Sequence, residues 1–331
     1  MAGTIIITGA NGSVAVPAVQ HLLSKAPDNT LVLTVRNTLD SDLNTKRLRE
    51  ATSRFPNSKV LIRKLDLASL KTVNEFADTV ATEVAQGKLP PLAAIVCNAF
   101  HWNMIEDPEL TEDGLEKTMQ VNHVSHSALV FRLLGSFGPQ GGRLVFFTSD
   151  SHNPGRNSLE RYPPGLPDDL DELMRADPEI DKRGRGFLNY ANSKLAILMW
   201  TYALNRYLEK GQSFNKITAV VIDPGSITDS RALRTNTPAI LSHLQRFVLQ
   251  PLRPVLQLMA PYMRRSVDAG VDVAELALNR KHAGERGYFR LVVPGPSSAE
   301  SLDELMQQRL WVKTTEWARI TREDTALEAG F

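Results

Sequence analysis

Short runs of β-branched and aliphatic residues alternate along the chain with longer amphipathic stretches. Thr4-Ile5-Ile6-Ile7 has no polar position among its apolar ones, and Leu144-Val145-Phe146-Phe147 repeats that pattern. A strand of this kind is buried on both faces, the condition inside a parallel sheet covered by helices. Six such strands are predicted at Thr4–Thr8, Leu31–Val35, Val60–Leu65, Ala93–Val96, Arg143–Thr148 and Ile217–Ile222, and a seventh at Tyr288–Val293. Between them the apolar spacing lengthens to the helical period near Val16–Lys25, Leu43–Arg54, Leu70–Gln86, Gly114–Leu134 and Tyr190–Glu209. A C-terminal helix is expected within Ser298–Ala318. Strands alternating with helices in this way make parallel βαβ units, so a single α/β domain over residues 1–331 is expected.

Two stretches interrupt the alternation. Residues 153–187 hold five prolines and the acidic run Asp168-Asp169-Leu170-Asp171-Glu172. They read as an excursion from the sheet, either a lid over a site or solvated surface. Residues 228–280 read as a second, helical excursion. Its apolar positions Leu241, Leu244, Phe247, Val248, Leu252, Val255 and Leu256 would line a hydrophobic pocket or pack on the sheet. The run from Phe247 to Met263 is interrupted by three prolines and Arg253, so no membrane span is predicted.

Charge removes one class of partner. Lysine and arginine total 38 against 37 acidic residues, which leaves no field to hold nucleic acid. The sole cysteine, Cys97, lies in an apolar strand and reads as a buried thiol in a reducing compartment. No signal peptide is expected at the N-terminus, and a cytoplasmic location follows. His123, His126 and His152 lack metal-ligand spacing, so they read as structural and no metal is predicted.

Chemistry enters at the end of the first strand, which runs into Thr8-Gly9-Ala10-Asn11-Gly12-Ser13-Val14-Ala15 and then a helix. Small residues there let the backbone approach a pyrophosphate held at the helix N-terminus. The second strand ends in Val35-Arg36-Asn37. An acidic residue at that point would hold a free ribose 2′-hydroxyl, whereas Arg36 suits a 2′-phosphate and argues for NADP(H) over NAD(H). Asp66, just past the third strand, could accept a bond from the adenine amino group or cap the following helix, for which Ser69 is better suited.

Further along, Tyr190 and Lys194 stand four residues apart on a predicted helix and share a face. A free tyrosine titrates near ~10. A cation beside it favours the phenolate, so the pair could exchange a proton with a hydroxyl or carbonyl. With the phosphate turn, these motifs make the chain resemble a short-chain dehydrogenase/reductase from Thr8 to about Ser230. That resemblance implies a doubly wound parallel (Rossmann) sheet of about seven strands with lid-like helical excursions and NAD(P) across its carboxyl edge. It implies a catalytic set of Asn122, Ser149, Tyr190 and Lys194, with Asn122 holding a water that relays protons from Lys194. It also assigns to the cofactor Thr8, Gly9, Asn11, Gly12, Ser13, Val14, Arg36, Asp66, Leu67, Asn98, Tyr190, Lys194, Pro224, Gly225, Ile227 and Thr228. The wording of Leu65-Asp66-Leu67-Ala68-Ser69-Leu70 and of Asp223 to Ala232, with Tyr190 standing 41 positions after Ser149, is similar to the retinol-dehydrogenase-like and protochlorophyllide-reductase-like branch and to fungal secondary-metabolism members.

Three departures stand out. Ser13 and Ala15 replace glycines of the phosphate turn, Phe100 replaces the glycine of an Asn-Ala-Gly turn, and Asp229 replaces a threonine after the proline-glycine turn. The expected activity is NADPH-dependent reduction of a ketone or aldehyde on a hydrophobic small molecule, or the reverse alcohol oxidation. The alternative is reuse of the fold without redox chemistry, as a binding module or a cyclisation-shaping enzyme. Family members often pair through the helices flanking the site, so a homodimer is one expected assembly.

Overall fold

The computed structural model describes residues 2–178, 180–260 and 262–327. Its strands are β1 (Thr4–Ile7), β2 (Thr30–Val35), β3 (Lys59–Lys64), β4 (Leu92–Cys97), β5 (Gly142–Phe147), β6 (Ile217–Asp223), β7 (Ser226–Ile227), β8 (Met263–Arg264), β9 (Gly287–Arg290) and β10 (Val293–Pro294). Among the described residues eight of them form one sheet in the order β3-β2-β1-β4-β5-β6-β9-β10, and β7 pairs with β8 apart from it. Every pair in the large sheet is parallel except β9 with β10. The chain builds outward from β1 to β3, then returns to β4 on the other side of β1. The carboxyl ends of β1 and β4 therefore diverge, and that crevice is where open α/β sheets bind ligands.

Helices cover both faces: α1 (Ala15–Lys25), α2 (Leu43–Thr52), α3 (Leu70–Ala85), α4 (Lys117–Met119), α5 (Ser125–Leu133), α6 (Lys182–Lys210), α7 (Ala239–Leu244), α8 (Gln250–Met259), α9 (Ser266–Ala277) and α10 (Glu304–Trp317). A π-helical turn, Gln120–Val124, joins α4 to α5, and another, Gln245–Leu249, joins α7 to α8. Side-chain parity divides the core. Ile5, Ile7, Leu31 and Leu33 pack with Val19 of α1 and Val273 of α9. Ile6 and Val32 pack with Val73 of α3, Phe131 of α5 and Trp200 of α6. Cys97 is buried in the second of these clusters.

The seventh predicted strand, Tyr288–Val293, is broken into β9 and β10. Leu291 and Val292 adopt φ of 56° and 74°, which turns the chain back on itself. Helix α6 starts eight residues before its expected beginning at Tyr190, with Asp181 capping it by accepting the Gly184 N–H at 3.0 Å. Two glycines disguised that first turn, since glycine weakens a helical pattern. One is required by packing: a Cβ on Gly186 would stand 1.8 Å from the Asn103 carbonyl oxygen.

The two excursions behave differently from expectation. The acidic run is a strut for the C-terminal helix: Asp171 accepts from Lys313 Nζ and Trp317 Nε1, each at 2.8 Å. Leu170 and Met174 are buried in the main core beside it. The second excursion, expected over 228–280, contains α9, which is one of the sheet's covering helices. A Cβ on Gly270 would lie 2.7 Å from Pro17, so α9 meets α1 nearly backbone to backbone. Of the apolar positions predicted to line a pocket, Leu241 is buried with Trp102 and Phe187. Leu244, Phe247, Val248 and Leu252 are exposed, and the side chain of Val255 lies outside the described residues. Among the described residues no helix is long and apolar enough to cross a membrane.

Candidate active site

The phosphate turn is built at the end of β1. Gly9 has a φ of 58°, and a Cβ there would stand 2.9 Å from Ala99, so the turn closes only with glycine. Asn98 fixes the turn by donating from Nδ2 to the carbonyls of Thr8 and Gly9, both at 3.0 Å. The Thr8 hydroxyl accepts the Ala99 N–H at 3.0 Å and pairs with His126 Nε2 at 2.9 Å. The other ring nitrogen of His126 faces the Asn122 carbonyl at 3.3 Å. Burial pulls the His126 pKa down to about 3, so it is a neutral strut between the turn and α5. Val14 at the start of α1 offers no side-chain cap; the Val16 N–H donates to the Gly12 carbonyl at 3.1 Å and Pro17 has no N–H.

Above this turn lies a cavity of about 400 Å³. Gly9, Asn11, Gly12, Ser13, Val14 and Asn98 line it at the turn, and Arg36, Asp66 and Leu67 line it from the ends of β2 and β3. Asp66 accepts from the Ala68 N–H at 3.0 Å, while Ser69 caps α3 through the Thr72 N–H. A glycine cradle at the N-terminus of α1 and a cation at the end of β2 suit a phosphorylated dinucleotide.

The last predicted cofactor residues lie beyond β6. Gly225 adopts a φ of 77°, and a Cβ there would stand 2.5 Å from the Tyr262 carbonyl oxygen. Pro224, Gly225, Ile227 and Thr228 are not among the residues that line the cavity. Thr228 is buried, and its N–H and hydroxyl both donate to the Arg264 carbonyl, at 3.0 and 3.3 Å. The departure at Asp229 has a physical reason: its carboxylate accepts from the Ser266 N–H at 2.8 Å and the Ser266 hydroxyl at 3.0 Å, at the start of α9.

Tyr190 and Lys194 share one face of α6, with Lys194 Nζ 5.5 Å from the Tyr190 ring centroid. Lys194 is buried and donates to the Phe147 carbonyl at 3.1 Å. Ser149, just past β5, donates to Asp150 at 2.9 Å and also lies within hydrogen-bonding reach of the Tyr190 phenol. Burial pushes the Tyr190 pKa well above the ordinary phenol range, and the Ser149 bond opposes that only in part. Burial also draws Lys194 down to about 7. The expected lowering of the tyrosine by the lysine is therefore outweighed here: both groups lose water, and desolvation favours their neutral forms.

Asn122 sits in the π-helical turn before α5. Its Nδ2 donates to the His101 carbonyl and to Ser193 Oγ, each at 2.9 Å, and its Oδ1 accepts the His101 N–H at 2.7 Å. Both amide protons are spent on protein, so the side chain clamps the loop after β4 to α6. π-helical turns of this kind concentrate at functional sites.

Sequence reasoning missed the wall around the phenol. Trp102 packs edge-on against Tyr190 with centroids 5.2 Å apart, and Phe100 and Phe187 lie 6.2 and 6.1 Å away. Trp102 Nε1 donates to the Thr235 carbonyl at 3.0 Å, and Asn236 Nδ2 donates to the Trp102 carbonyl at 3.1 Å. The segment after β7 therefore closes over the loop after β4. Phe100 was the sequence signal, and Trp102 stands only two residues further on. Arg231, which also lines the cavity, lies within the Asp223–Ala232 segment, but sequence reasoning assigns it no role.

Comparison with known proteins bears on this arrangement. The AcuH dehydrogenase domain matches residues 231–327. Dehydrogenase acuH of Aspergillus aculeatus is 51% identical over 92 residues, 28% of this chain and 94% of that protein. Short-chain dehydrogenase iccH of Talaromyces variabilis is 27% identical over 366 aligned residues, 99% of this chain and 98% of that protein. The chain belongs to the short-chain dehydrogenase/reductase family. Mouse retinol dehydrogenase 13 is another relative, 27% identical over 96% of this chain and 83% of its own length. Among solved structures, NADPH-bound carbonyl reductase from chicken fatty liver superposes with a TM-score of 0.56 at 16% identity, covering 88% of this chain and 96% of that one. This last likeness is one of fold, the mostly parallel α/β sheet that the short-chain dehydrogenase/reductase motifs implied.

Proposed function

We propose that this short-chain dehydrogenase/reductase uses NADPH to reduce a ketone or aldehyde on a hydrophobic small molecule of the kind fungal secondary metabolism makes, with alcohol oxidation as the reverse reaction. The observation that carries the reading is the meeting of Tyr190, Ser149 and Lys194 behind Phe100 and Trp102, two rings that line the cavity. Gly9, Gly12, Ser13 and the N-terminus of α1 would hold the diphosphate, Arg36 the 2′-phosphate, and Asp66 and Leu67 the adenine. Pro224, Gly225, Ile227 and Thr228 would flank the nicotinamide end. When bound, the nicotinamide supplies the hydride that a carbonyl carbon accepts.

The chain's own groups handle the oxygen and the proton. Ser149 donates a hydrogen bond to the carbonyl oxygen and orients it. Tyr190 gives its phenolic proton to that oxygen as general acid, and the raised pKa of the resting site keeps that proton in place. Lys194, as a cation, stabilises the phenolate left behind and would hold ribose hydroxyls. Phe100, Trp102 and Phe187 exclude water and present an apolar surface to the substrate. The sole cysteine is buried, which accords with a cytoplasmic setting.

Incubation with NADPH and a panel of apolar ketones and aldehydes should consume the cofactor. Tyr190→Phe should reduce that turnover by at least about 100-fold. Native-rate consumption by the variant would overturn the assignment.

A further inference from the structure

The serine at position 13 is bonded to something the motif does not anticipate. Ser13 Oγ accepts the main-chain N–H of Arg231 at 3.1 Å, and the Arg231 guanidinium donates to the Asn11 carbonyl at 2.6 Å. Two bonds thus pin a segment 218 residues away in sequence across the phosphate turn. Arg231 lines the same cavity as Gly9, Gly12 and Arg36. Among the described residues its guanidinium has no carboxylate within ion-pair distance; Asp42, which lines the same cavity, acts on it only from further away. A guanidinium carries five N–H donors, and a half-buried cation is costly unless an anion meets it.

The same segment reaches the phenol. The Arg231 carbonyl accepts from the Arg234 N–H at 2.9 Å and from Thr235 Oγ1 at 3.3 Å. The Thr235 carbonyl holds Trp102 Nε1 at 3.0 Å, and Trp102 packs on Tyr190. We infer that Arg231 binds the bridging diphosphate of the dinucleotide and transmits its occupancy to the aromatic wall through Thr235 and Trp102. The inference rests on the nicotinamide-cofactor reading above. It gives Arg231 a different role from Arg36, which stands at the end of β2 on the 2′-phosphate side.

The test is calorimetric titration of NADPH and NADH into the parent, Arg231→Gln, Arg231→Lys and Arg36→Gln, with melting temperature and circular dichroism establishing that each is folded. A hydrogen bond to a charged group supports an expected loss of about 10- to 100-fold in Arg231→Gln. That loss should be equal for NADPH and NADH, because both carry the diphosphate. Arg231→Lys should recover most of it, and Arg36→Gln should weaken NADPH alone. Saturating NADP⁺ should change the tryptophan emission of the parent, and Trp102→Phe should identify the responding ring. The change should shrink in Arg231→Gln at saturation. Parent-like affinity of Arg231→Gln for both nucleotides would overturn the inference and leave the reductase reading standing. A loss confined to NADPH would overturn the diphosphate assignment. A parent that binds neither nucleotide would overturn the reductase reading itself.

Discussion

At the residue scale, the role proposed for Lys194 sets function against stability. It is buried beside Tyr190 and its pKa falls to about 7, far below an ordinary lysine. Above the unfolded lysine pKa near ~10.4 both states are neutral and its burial carries no protonation penalty. As pH falls from there to about 7 the unfolded chain takes up a proton that the folded chain does not, so stability is lost across that window. Lys194→Met should therefore melt at a higher temperature than the parent at pH 7, with the gap closing toward pH 10, while turnover collapses. Parallel melting curves across that range would show that Lys194 carries no such penalty. Tyr190→Phe should leave NADPH affinity nearly unchanged, because the ring and its packing against Trp102 remain; titration of the folded variant checks this.

Elements explain which parts of the site could be read in advance. The strands and the turn at Gly9 were legible because each rests on local pattern: continuous apolar runs, and a strand ending in small residues. Asp66 and Arg36 were legible for the same reason, since they sit at strand ends. The wall of Trp102 and the bond from Arg231 to Ser13 join segments far apart in sequence, and no local pattern announces such contacts. The early start of α6 was hidden because Gly184 and Gly186 answer to a neighbouring loop and not to helix propensity. Gly186→Ala would push the Asn103 carbonyl away, at a cost of about 1–3 kcal/mol by overpacking, and should lower turnover by displacing Trp102. Denaturant unfolding together with steady-state assays tests this; parent-like stability would contradict the close approach.

Across the whole molecule, α10 reaches back over α6, the helix that carries Tyr190 and Lys194. Trp311 stacks on Trp200 of α6 with centroids 5.7 Å apart and an interplanar angle of 14°, and both rings are fully buried. Asp171 ties the 153–187 excursion to the same helix through Lys313 and Trp317. A homodimer using the helices beside the site would need surface that α10 leaves free. Trp311→Ala should cost about 3–5 kcal/mol in denaturant unfolding; a loss below about 1 kcal/mol would mean that α10 is not part of the core. The sheet, its covering helices and α10 together hold one crevice open at the switch point between β1 and β4. Calorimetric titration of NADPH and NADH into the parent protein measures whether that crevice holds a dinucleotide. Saturable binding of NADPH, tighter than that of NADH, is the predicted result. Absence of binding by either nucleotide at millimolar concentration would contradict it and favour a fold reused without redox chemistry.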